Sequence, residues 1–142
     1  MVILKIIAGG IIAGVVANVT GYVITGRLFH AYQAKTPNTW RQSESWAHYL
    51  YAAAVRIAGC VGIGFLYGTI GGQFPALADP AILRGVTFGS LLWAVTILPV
   101  VLEVSLFVNW HRGFVVGLLL DWLVVCVLAS VAAAVCISWG GP

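Results

Sequence analysis

Apolar residues fill four long runs, about 2–24, 49–71, 82–108 and 113–139, with short polar stretches between them. Each run exceeds the ~20 residues that a helix needs to cross ~30 Å of hydrocarbon. The pattern predicts an all-α membrane fold over residues 1–142: one domain, a four-transmembrane-helix bundle in up-down-up-down order. The first loop, Gly26 to His48, is the longest. Within its TPNTWRQSESWAH stretch, Thr39 and Gln42 have the spacing of a capping box. That spacing predicts a short interfacial helix starting near Trp40 and running into the second span, with Trp40, Trp46, Tyr49 and Tyr51 as an aromatic belt. The second loop closes on Asp79-Pro80, a helix cap followed by proline at the first helical position. The third, Asn109 to Arg112, is short enough to make the last two spans a hairpin.

Composition sharpens this. Hydrophobic residues make up 61% of the chain and charged residues 8%, against roughly 25% charged in ordinary globular proteins. The net charge of +3 is scattered rather than gathered into a stripe, which argues against a nucleic-acid partner. The first and third loops hold Arg27, Lys35, Arg41 and Arg112; the other side holds Lys5 and Arg84. The positive-inside tendency therefore puts the first and third loops in the cytoplasm and both termini outside. The first run is read as a retained span, because no basic region precedes it and no cleavage site follows. Cys60, Cys126 and Cys136 lie inside apolar runs without a CxxC or Cys/His pair, so they read as packing residues.

Of the polar residues inside the spans, Asn18, Arg56, Glu103 and Asp121 read as buried. At 1.5 Å per residue, counted from the predicted cytoplasmic ends, they lie about 13, 12, 9 and 13 Å deep. One polar residue from each helix thus falls in a common layer. Stripes of small residues accompany them: Gly10, Gly14 and Gly21 with Asn18; Cys60, Gly64, Gly68 and Gly72 with Arg56; Gly113, Gly117 and Ala129 with Asp121. Such stripes let membrane helices approach closely, so these polar residues point inward. On the third span, Gly85, Gly89, Thr96, Pro99 and Glu103 share a face at a 3.6 period. Pro99 cannot donate to the carbonyl of Val95 and predicts a kink. Two roles stand open for the layer. It is either a neutralising network that ties the helices together, or an ion, proton or polar-ligand site with one carboxylate in surplus. Glu103 also has a local alternative, pairing with His111 or Arg112 of the turn.

No Ser/His/Asp arrangement, metalloprotease motif or paired carboxylate is visible, and no metal-ligand spacing, so nothing positive supports an enzyme. His30 and His48 near the interface are the candidates for a single axial contact to a haem or pigment; no other cofactor is indicated.

The segment GVTFGSLLWAVTILPVVLEVSLFVNWHRGFVVGLLLDWLV, with Gly85, Gly89, Trp93 and Pro99, Trp110 in the turn, and the step Asp121-Trp122, resembles a family of small four-helix bacterial integral membrane proteins of unknown function. The run IIAGGIIAGVVANVTGYVITG is similar too. The resemblance implies an inner-membrane bundle and adds no activity. The expected function is that of a non-catalytic membrane component, packed in the bilayer against other membrane subunits or copies of itself. Its size, small extramembrane mass and surplus small-residue positions such as Gly59 and Gly62 point that way. The alternative is a small transporter or channel that uses the polar layer for a proton, cation or polar solute.

Overall fold

A computed structural model describes residues 2–40, 45–73 and 80–139. All regular structure among them is helical. Helix α1 covers Val2–Val23 and continues through a π-helical turn, Ile24–Leu28. A one-turn helix α2, His30–Gln33, and a 3-10 turn, Pro37–Thr39, follow. Helix α3 is Trp46–Ile70. Helix α4, Ala81–Leu92, passes through a π-helical turn, Trp93–Ile97, into α5, Leu98–Phe107. Helix α6 is Arg112–Ser138. Four continuous helical stretches, Val2–Leu28, Trp46–Ile70, Ala81–Phe107 and Arg112–Ser138, are long and apolar enough to cross a membrane.

The helix before the second span differs from the one predicted at Trp40. Trp40 is in extended backbone (φ −103°, ψ 152°), and the short helix is α2, further upstream. Gln42, the expected partner of Thr39 in a capping box, lies outside the described residues. The start of α3 is instead set by Ser45, whose backbone N–H donates to His48 Nδ1 at 3.1 Å. This satisfies one of the donors that a helix N-terminus leaves without an intrahelical partner. Asp79 is likewise outside the described residues; Pro80 occupies the capping position itself, one place before α4.

Helix α6 is the hub. In its most apolar stretch 44% is buried, against 6% in the third span. One core cluster joins α1, α3 and α6 through Ala13, Ala17, Cys60, Val125 and Ala129; a second joins α3, α4 and α6 through Tyr67, Phe88, Ala133 and Ala134. Tyr67 and Phe88 meet edge to face with ring centroids 5.2 Å apart. Small residues set the helix separations. A Cβ on Gly10 would lie 2.6 Å from Val61 Cα and one on Gly14 2.7 Å from Ile57 Cα; α4 presses on α6 in the same way at Gly85 and Gly89. Backbone contact that close is the small-residue packing typical of membrane helices.

Gly113 and Gly117 serve a different purpose from the helix–helix stripe expected of them. They are sockets for aromatic rings, Tyr32 against Gly113 and Phe29 against Gly117. Tyr32 also stacks on His111 at 4.8 Å, Trp40 meets Phe114 edge-on at 4.6 Å, and Thr39 Oγ1 donates to the carbonyl of Asn109 at 3.2 Å. The long first loop is thus docked onto the third loop and the start of α6.

The π-helical turn at Trp93–Ile97 has a local cause. Pro99 has no N–H to continue the ladder, and the Leu98 N–H reaches back to the carbonyl of Trp93, five residues earlier. The Trp93 indole N–H donates to the carbonyl of Leu119 at 2.9 Å, anchoring this turn to α6. The departure from α geometry therefore begins before Pro99. On α6, the Ser130 hydroxyl is fully buried and has no hydrogen-bond partner among the described residues. An unmet buried hydroxyl costs about 1–3 kcal/mol, so Ser130→Ala is expected to hold or raise the thermal midpoint in detergent; a clear drop would reveal a partner for this group.

Candidate functional site

Arg56 and Asp121 meet in the interior. Arg56 Nη1 donates to Asp121 Oδ1 at 2.8 Å and Nη2 donates to Oδ2 at 2.7 Å. This is the bidentate fork–fork geometry of a strong charge-assisted pair. Asp121 is 1% exposed and the Arg56 side chain 19%. Nη1 also donates to the carbonyl of Ala17 at 2.9 Å, so one guanidinium ties together α1, α3 and α6. The Trp122 ring covers it from one side, with its centroid 5.8 Å from Arg56 Cζ, within cation–π range.

The sequence of α1 makes room for this pair. A Cβ on Gly21 would collide with Arg56 Nη1 and come within 3.0 Å of Asp121 Oδ1. Only a glycine lets the α1 backbone pass over the ion pair at that point. Asn18, one turn earlier, does not bond to either charge. Its amide donates to the carbonyl of Gly14 at 2.9 Å and, across to α3, to that of Ala53 at 3.4 Å.

Glu103 stands elsewhere. It is exposed on α5 and makes no hydrogen bond or ion pair with the described residues, His111 and Arg112 included. The layer is therefore closed by two charges rather than three, and its formal charge is zero. The reason is the π-helical turn. A π turn takes an extra residue without an added turn, and one residue corresponds to about 100° around a 3.6-residue helix. The face shared by Gly85 and Gly89 thus breaks: those two are buried, whereas Thr96, Pro99 and Glu103 are exposed.

The two histidines considered for axial ligation, His30 and His48, are both exposed. His48 Nδ1 is engaged in the α3 cap. His111 caps α6, accepting from the Gly113 N–H at 3.0 Å. No cluster of three His, Cys, Asp or Glu side chains suited to a metal occurs among the described residues.

One feature was not legible from the residues alone. A cavity of about 430 Å³ opens between α1 and α3, lined by Asn18, Tyr22, Tyr49, Ala53, Arg56 and Trp122 among others. Asn18 thereby shares a cavity with Arg56 without touching it. The arrangement can present the hydrogen-bond donors of Arg56 to a predominantly apolar groove. Comparisons with protein-family models, curated proteins and solved structures find no match to this chain.

Proposed function

We propose that this chain is a non-catalytic, multi-pass integral membrane protein that works as a subunit, either of a homo-oligomer or beside larger membrane partners. The observation that carries the proposal is Glu103. It is the one charged residue of α5, LPVVLEVSLF, and is exposed there, in the span that is least covered by the rest of the chain. A carboxylate turned toward lipid costs a few kcal/mol even by insertion scales, so intramembrane acids almost always face protein or water. A neighbouring subunit over α5 would supply that cover.

The up-down-up-down order belongs to this proposal. Contacts that run in opposite numerical order support it: Gly10 and Gly14 against Val61 and Ile57, Gly85 and Gly89 against Val131 and Val127. The docking of the first loop on the third supports putting both on one side, the cytoplasmic side by the Lys and Arg distribution. A bacterial inner-membrane address rests on the sequence resemblance alone. A transporter or channel built on the polar layer needs a carboxylate free to carry a proton or cation; Asp121 gives both oxygens to Arg56.

Native mass measurement after extraction in mild detergent tests the subunit reading. More than one chain per particle is expected, and Glu103→Lys should reduce that mass. A single chain under the mildest extraction, unchanged by the substitution, overturns the proposal.

A further inference from the structure

We infer that the cavity between α1 and α3 binds a neutral amphiphile whose carbonyl oxygen accepts a hydrogen bond from Arg56. The cavity is about 430 Å³, within the range of small-molecule sites. The surface it exposes is predominantly apolar, with Asn18 and Arg56 among the polar side chains that line it. Arg56 carries five N–H donors; three are used on Asp121 and Ala17, leaving two. Asn18 contributes its side-chain oxygen, which has no partner among the described residues because the amide nitrogen makes both of its bonds. Unused donors on a partly buried guanidinium are costly in an apolar setting, so the cavity has a chemical demand that an acceptor oxygen meets.

Charge decides the class of occupant. Asp121 already neutralises Arg56 through both oxygens. An anion at the remaining donors would gain little net attraction and would lie close to that carboxylate. A neutral acceptor has no such conflict. Aromatic rings line it, Tyr22 and Tyr49, and Arg27 lies over the Tyr22 ring at 5.5 Å while donating from Nε to the Tyr22 hydroxyl at 3.0 Å. An apolar body bounded by aromatic rings, with an acceptor facing Arg56, describes either a quinone ring or the ester region of a neutral glycerolipid. Glu103 does not line this cavity, so occupancy and assembly are separate properties.

Titration of the full chain in detergent with decylubiquinone and, separately, with dioleoylglycerol tests the inference, read by tryptophan fluorescence, since Trp122 lines the site. Saturable binding of at least one probe is expected. Quinone binding that the diacylglycerol does not displace identifies a ring carbonyl, and the reverse identifies an ester. Ala53→Phe, which fills the cavity, should weaken binding by at least about tenfold, or ~1.4 kcal/mol, without moving the thermal midpoint. Should that variant fail to fold, Val55→Trp at the exposed rim makes the same test. The inference is overturned if neither probe saturates, if the cavity-filling variants bind as the parent does, or if phosphatidylglycerol displaces the bound probe more effectively than either neutral compound.

Discussion

Asp121→Ala is expected to be the most damaging single substitution in the chain. It would leave the Arg56 guanidinium, 19% exposed, with only the carbonyl of Ala17 as a fixed partner. Removing one member of a buried ion pair typically costs about 3–5 kcal/mol, because the remaining charge is left uncompensated. Here the loss would also unfasten three helices at one point, since the same guanidinium spans α1, α3 and α6. Asp121→Asn should fall in between: it keeps the shape and one acceptor but not the charge. Replacing both partners, Arg56→Met with Asp121→Leu, should recover most of the loss, as buried pairs exchanged for apolar residues of similar volume often do. Thermal unfolding in a single detergent would rank the variants. A midpoint for Asp121→Ala equal to that of the parent would show that the pair contributes no net stability.

The second large effect concerns α4. Gly85→Leu would start from a Cβ 2.5 Å from Val131 Cα, and Gly89→Leu from one 2.6 Å from the carbonyl oxygen of Cys126. The obstacle in both cases is backbone, so no rotamer change relieves it. Overpacking of this kind costs about 1–3 kcal/mol, occasionally more, and the upper end is expected here because α4 must back away from the hub helix. The Tyr67–Phe88 contact and the Trp93 bond to Leu119 would go with it. Gly59→Leu is the matched control: a Cβ there meets nothing within 4 Å. Its stability should stay level or rise by about 1 kcal/mol from improved helix propensity. Equal losses at Gly85 and Gly59 would contradict the packing described.

Arg56 shows how far the residues alone can lead. A charge about 12 Å inside a span needs a partner, and the depth count put Asp121 within its reach. The same count put Glu103 at that level too. Depth along a helix is a matter of residue number and rise; the direction a side chain faces depends on an unbroken 3.6 period. The π-helical turn before Pro99 breaks that period, and no local pattern around Trp93 announces how many residues it takes in. Gly113 and Gly117 make a related point. The spacing of small residues marks a surface that something approaches closely. Whether that something is another helix or the rings of Phe29 and Tyr32 depends on where a distant loop folds back.

The sequence by itself determined that this chain forms four helices long and apolar enough to cross a membrane, and that the charge of Arg56 inside them calls for a partner. Those conclusions follow from hydropathy and from the cost of an unpaired charge, both of which are local. Tertiary structure alone decided that Arg56 pairs with Asp121 and not with Glu103. It also decided that Gly21 clears the space for that pair, and that a cavity with unused guanidinium donors lies beside it. Each of those outcomes depends on the rotation of one helix about its axis relative to another, a quantity that a residue count does not contain.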